Sequence, residues 1–203
     1  MVDTLKAEAN SWLIDDDKKR KDKEIRERIR YPLLKKQMGL DYLDTSDMYV
    51  GDIGAGPLGG VSSIMNTKST VRIDPIANEY KKYYHLENYI NDNAEDLKEE
   101  LYAFDLIIIT NAMDHFQNPQ QFLKDLVEYT KPSCYFAHIH AINNAYSHRH
   151  EAHEENVNPE MMWHHLHPEF ELVWNLDYQH DYLLYGWKHQ PAFAQLWRNI
   201  KSL

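Results

Sequence analysis

One stretch constrains this chain more than any other: Met48-Tyr49-Val50-Gly51-Asp52-Ile53-Gly54-Ala55-Gly56-Pro57-Leu58-Gly59. A short apolar segment reads as a strand, Gly54, Gly56 and Gly59 end it in a G-x-G-x-x-G turn, and residues 58–65 are predicted as the helix that follows. Glycines allow a tight turn and let a ligand approach the backbone closely. Amides at the start of a helix favour a negative group. A second predicted strand, residues 70–74, ends in Asp74, 20 residues after Gly54. A carboxylate there can accept ribose hydroxyls. Strand, loop, helix and acid together point to a ligand of the adenosine type, with nicotinamide, flavin and S-adenosylmethionine cofactors all open.

Alternation continues downstream. Residues 78–84 read as a helix, 88–91 as a short strand, and 96–103 as a helix or loop. Residues 104–110 read as the strongest strand, with a continuous apolar run, Leu106 to Ile109, of the kind buried on both faces. A helix over 119–129 begins with a proline, and 134–141 is a fifth strand. After a polar, His-rich stretch reaching about residue 168, residues 171–176 and 181–187 look like a closing hairpin. Strands that alternate with helices predict an α/β fold: a Rossmann-like, doubly wound, mostly parallel sheet with a C-terminal antiparallel hairpin. Ahead of it, helices over 3–14 and 18–38 make an N-terminal helical arm. The second carries Ile25, Ile29 and Leu33 on one stripe, with Pro32 as a breaking point. The division expected is an arm at 1–47 and a ligand-binding domain at 48–203.

The net charge of −10 and a pI near 5.6 speak against gripping nucleic acid as the main task. The basic run from Lys18 to Arg30 is interleaved with Asp22, Glu24 and Glu27, as on a solvated helix face with ion pairs; the other reading is a contact surface for an anionic partner. Cys134 is the single cysteine, which excludes an intrachain disulfide and reads as a small core residue. The polar N-terminus shows no signal peptide, and no apolar run is long enough to span a bilayer. The expectation is a soluble, cytoplasmic protein without a membrane or nucleic-acid partner.

Asp52 narrows the ligand. A carboxylate two residues before Gly54 would repel a pyrophosphate but attract the ammonium and sulfonium of S-adenosylmethionine. It can also cap the loop's own amides. From Tyr49 to Gly59 the sequence resembles the first motif of the Rossmann-like S-adenosylmethionine-dependent methyltransferases. Other family motifs follow in order: Val71-Arg72-Ile73-Asp74-Pro75; Asn93-Ala94-Glu95-Asp96-Leu97; Asn111-Ala112-Met113-Asp114-His115-Phe116; and Lys131-Pro132, where Ser133 and Cys134 replace the family's two glycines. The resemblance covers residues 48–141.

The resemblance implies a cofactor site. Asp52, Gly54, Ala55 and Gly56 border the methionine portion, Asp74 and Pro75 the ribose, and Asn93 and Ala94 the adenine. Asn93 stands where the family has an acid. Asn111 lines the methionine side. Methyl transfer to a small-molecule hydroxyl or amine needs alignment and a proton acceptor. Among 12 histidines, His140 at the end of the fifth strand and His115 after the fourth are the candidates. His138 and His140 share a strand face, and His148, His150 and His153 precede Glu154 and Glu155, a set that could chelate a metal; lacking any familiar metal spacing, it reads as a polar loop and no metal is expected. A nicotinamide- or flavin-dependent oxidoreductase, or a non-catalytic S-adenosylmethionine-binding protein on the same fold, remain the alternatives.

Overall fold

The computed structural model describes residues 12–14, 16–141, 157–177 and 192–202. Five helices appear among them: α1 (Asp17–Gln37), α2 (Ala77–Tyr80), α3 (Lys98–Leu101), α4 (Pro119–Tyr129) and α5 (Pro159–Leu166). Seven strands, β1 (Tyr49–Ile53), β2 (Ser69–Ile73), β3 (Tyr89–Ile90), β4 (Leu106–Thr110), β5 (Tyr135–Ala141), β6 (Phe170–Asp177) and β7 (Ala192–Asn199), form one sheet in the order β3-β2-β1-β4-β5-β7-β6. Strands β1 to β5 are parallel, and β7 runs antiparallel to both β5 and β6. This is the doubly wound α/β architecture with an antiparallel C-terminal pair.

Alternation along the strands feeds two cores. Ile107, Ile109, Phe136 and Ile53 face α4 and α5, where Phe122, Leu126, Met162 and Leu166 meet them. Val50, Leu106, Ile108 and Ile139 face the other way, onto Tyr31, Leu34 and Met38 at the end of α1. The central strands thus bury both faces, which is why β4 is apolar from Leu106 to Ile109 and turns polar only at its half-buried end, Thr110.

Several expectations change. Residues 58–65 form no α-helix: a turn leads into a 3₁₀ segment, Val61–Ile64, because Gly59 and Gly60 both take positive φ. The helix expected over 3–14 lies almost wholly outside the described residues. So do 181–187; the strand that pairs with β6 is β7, residues 192–199. α5 was hidden in the His-rich stretch, although Asn158 accepting from Met161 N–H and Pro159 in the first turn are ordinary start signals. α1 runs through Pro32, whose position is exposed, so the carbonyl freed one turn earlier can take water. α1 also buries Tyr31, Leu34 and Gln37 and leaves the Ile25–Ile29–Leu33 stripe in solvent. Ser133 adopts φ 66° and so fills the place of a glycine after Pro132.

Candidate active site

The sheet reverses its order between β1 and β4, and a doubly wound sheet takes its ligand outside the carboxyl ends of the strands at such a point. The loops after β1 and β4 meet there. Gly54 has φ 70°, and a Cβ on it would run into the Cβ of Ala112, so the absence of a side chain lets the two loops touch. Asn111, at φ 50°, ends β4 with its N–H donated to the Ile139 carbonyl at 2.8 Å.

The glycine loop is tied to β2 and β3 as well. Gly54 N–H donates to the Ile73 carbonyl at 2.8 Å, Gly56 N–H donates to Asp74 Oδ2 at 2.9 Å, and the Tyr89 hydroxyl donates to the Gly56 carbonyl at 2.6 Å. Ile76 N–H donates to Asp74 Oδ1 at 3.1 Å. Two amides therefore help to fix the Asp74 carboxylate, an acceptor of the kind a ribose diol needs. Ala55 is buried under the loop and Pro75 is half-buried beside Asp74.

Asp52 lies beneath. Its carboxylate is wholly buried, with Oδ2 accepting from Ser62 N–H at 3.2 Å and Oδ1 lacking a hydrogen-bond partner among the described residues. Burial raises its pKa to about 7, opposed by the Ser62 hydrogen bonds and the charge of Arg72. The loop-capping role of this acid is therefore visible in the geometry.

Asn93 and Ala94 open a 3₁₀ turn after β3. The Asn93 amide donates to Asp96 at 2.9 Å, which leaves its carbonyl oxygen as an acceptor of the kind an adenine amine needs. On the arm side, the Trp12 ring comes within 3.9 Å of where a Gly56 Cβ would stand. Tyr84 donates to the Trp12 carbonyl at 3.0 Å, and the Lys23 ammonium lies 3.6 Å from the centre of the Trp12 ring.

On the opposite sheet face His138 and His140 stack at 5.2 Å, and Phe193 packs edge-on against His138. Gln195 Oε1 accepts from Trp197 Nε1, an obligate donor, and lies 3.1 Å from His138 Nε2. His138 must then carry its proton on Nε2, leaving Nδ1 as a lone pair. His140 is fully buried, and neither ring nitrogen has a partner among the described residues. Burial pushes its pKa down to about 4, with Asp114 opposing and His115 adding to the fall. His115 is half-buried, 3.9 Å from Asp114. His148, His150 and His153 lie outside the described residues; among those described, no group of three or more side chains could hold a metal ion.

Structure thus brings Asp52, the loop from Gly54 to Gly56, Asp74 and Asn111 to one strand-end crevice, and sets His115 and His140 together beyond β4 and β5. Sequence reasoning passed over Tyr89, Ser62 and Ala112, which shape the loop. Tyr89 in the predicted third strand was the available signal, since a strand beside β2 must end near the same loop.

Residues 51–138 match the family model described as a methyltransferase domain. Over that stretch the chain is similar to the Rossmann-like S-adenosylmethionine-dependent methyltransferases. A curated relative, a ubiquinone biosynthesis O-methyltransferase from Rickettsia typhi, is 28% identical over 116 residues, which are 52% of this chain and 46% of that one. The chain thus spans about half the length of that relative. Among solved structures, the N-methyltransferase NodS from Bradyrhizobium japonicum in complex with S-adenosyl-L-homocysteine superposes with a TM-score of 0.65 at 18% identity, covering 98% of this chain and 100% of that one. The [4+2]-cyclase SpnF superposes with a TM-score of 0.60 at 14% identity, covering 87% and 81%. At such identities these structures establish the shared fold. A fold hosts more than one chemistry, so the reaction must be argued from this chain's own site.

Proposed function

We propose that this methyltransferase binds S-adenosylmethionine at the crevice between β1 and β4 and transfers its methyl group to a small-molecule hydroxyl or amine. The observation that carries the reading is Asp52, a buried carboxylate with an unpartnered oxygen directly under the glycine loop. Negative potential there suits a cationic ligand and opposes a pyrophosphate. The short 3₁₀ turn after the loop points the same way, because it lacks the aligned amides that a dinucleotide's phosphates use.

In this reading Asp74 accepts the ribose hydroxyls, Pro75 and the loop from Gly54 to Gly56 flank the ligand, Asn93 and Ala94 border the adenine, and Asn111 lines the methionine end. Trp12 covers the loop from the arm side. When bound, the cofactor supplies a methyl carbon made electrophilic by its sulfonium. The chain aligns an acceptor against that carbon and takes the acceptor's proton. His140 is assigned to the proton: held neutral by burial, its ring has a lone pair ready to accept. His115 beside it is the second candidate, able to relay the charge toward Asp114. The O-methyltransferase relative makes a hydroxyl the first acceptor to try. The single cysteine, its thiol pushed up to about 12 by burial, fits work in the reducing cytoplasm.

Calorimetric titration tests the cofactor assignment. S-adenosylhomocysteine should bind and raise the melting temperature while NAD and FAD do neither. Binding of NAD or FAD in its place would refute the reading.

A further inference from the structure

Nothing above uses the outer face of α1. The helix carries ten Lys and Arg against four Asp and Glu, in a chain whose total charge is −10. Its inner stripe is spent on the sheet, through Tyr31, Leu34 and Gln37. A second apolar stripe faces solvent: Ile25 is 57% exposed, Ile29 72% and Leu33 40%. Spaced by four residues, these three make a continuous ridge along the helix.

The ridge has cations on every side. At about 100° per residue, Lys21 and Arg28 fall on one flank, Arg26 on the other, and Lys18 and Lys36 at the two ends. All five are exposed, and none forms an ion pair among the described residues. Arg20, Arg30 and Lys35, nearer the body, are paired with Asp17, Glu27 and Asp41. On the outer face the exposed acids of the helix are Asp17, already paired with Arg20, and Asp22. Charge is thus sorted: largely neutralised toward the protein, and in net cationic excess around the apolar ridge, where Asp22 is the one exposed acid not already paired among the described residues.

That pattern selects the occupant. A second copy meeting this face by its own α1 would set cations against cations, at a cost that grows as water leaves. An anionic partner is required. A single line of branched aliphatics flanked and ended by Lys and Arg matches a plane of negative headgroups above acyl chains: the ridge enters the interface and the long cationic stems reach back to the phosphates. We propose that α1 is an interfacial helix that docks the enzyme on anionic lipid surfaces. It replaces the expectation of no membrane partner with peripheral contact, and no helix among the described residues is long and apolar enough to cross a membrane.

Flotation of the full chain with phosphatidylcholine–phosphatidylglycerol vesicles is the test, with pure phosphatidylcholine vesicles as control. Wild type should float with the anionic vesicles alone, and salt should release it. Ile25→Ser/Ile29→Ser should lower the partition constant by about tenfold or more, and Arg26→Glu/Arg28→Glu by about fivefold for each cation removed. All four side chains lie in solvent, so both variants should keep the wild-type melting temperature and affinity for S-adenosylhomocysteine. Failure of wild type to float overturns the proposal. So does flotation unchanged by Ile25→Ser/Ile29→Ser, binding to soluble polyglutamate as tight as to the vesicles (an acidic protein site), or a dimer that the same variant splits in sedimentation velocity (contact between copies).

Discussion

Gly54→Ala tests whether the loops after β1 and β4 are truly interlocked. The new methyl meets two separate penalties. Its backbone sits at φ 70°, a left-handed conformation that costs an L-residue about 1–2 kcal/mol. Its Cβ also overlaps the Ala112 Cβ, and forcing extra volume into a packed contact costs about 1–3 kcal/mol more. The sum, about 2–5 kcal/mol, is a large fraction of a domain's whole stability. Urea unfolding measures it. A second substitution separates the two terms: Ala112→Gly removes the atom that Gly54→Ala strikes but leaves the dihedral penalty in place. Alone, Ala112→Gly should cost about 0.5–1 kcal/mol. In the Gly54→Ala background it should instead restore stability, with a coupling of about 1–3 kcal/mol between the sites. S-adenosylhomocysteine affinity should fall in Gly54→Ala and recover in part in the double variant. Additive losses would mean that the loops do not touch, and the description of the crevice would be wrong.

Further outcomes follow from the buried groups. Asp52 has its pKa raised to about 7, so its ionisation costs stability as pH rises from about 4 to 7; Asp52→Asn should remove that slope and be more stable by up to about 4 kcal/mol above pH 7, as read from unfolding curves at each pH. His140 has its pKa lowered to about 4, so its contribution runs the other way: stability is lost as pH falls from about 6.5 to 4, and His140→Phe should abolish that loss while reducing the methyl-transfer rate by about a hundredfold or more if the ring takes the proton. Tyr89→Phe deletes the hydroxyl that holds the Gly56 carbonyl and should cost about 0.5–1.5 kcal/mol in unfolding, with weaker S-adenosylhomocysteine binding by calorimetry. Asp74→Ala should abolish that binding.

The parts of the fold that were legible in the sequence are those where one local rule dominates. β4 is apolar from Leu106 to Ile109, α4 begins with Asn118 and Pro119, and the loop after β1 carries its glycines where φ turns positive. What stayed hidden depends on contacts distant in sequence. β7 follows no turn signal that pairs it with β6; its partners on both sides decide it. The helix expected after the glycine loop fails because Gly59 and Gly60 both turn to positive φ, and a Cβ on Gly59 would also strike the Arg72 side chain, distant in sequence. The stripe on α1 misled for a related reason. Helical periodicity marks two apolar faces on this helix, and only the tertiary structure tells which one the sheet takes.

The same distinction bears on where the chemistry sits. A sequence specifies a structure when its local and global demands agree, and real proteins break that agreement chiefly at functional sites. Several such breaks lie elsewhere, at Gln37 Oε1 and Asp125 Oδ2 for example, and two lie near the strand ends. Asp52 Oδ1 and both nitrogens of His140 are buried without partners among the described residues, each a group that folding alone would rather replace. One lies on the α1 face of the sheet under the glycine loop; the other lies on the α4 face, in β5. Their pKa shifts are opposite in direction, so at neutral pH the first can carry negative charge toward a cationic ligand while the second stays uncharged, with a ring lone pair unprotonated. A methyl donor that arrives positive and an acceptor that must lose a proton need that pair of states at once, and a hydride-transferring dinucleotide needs neither.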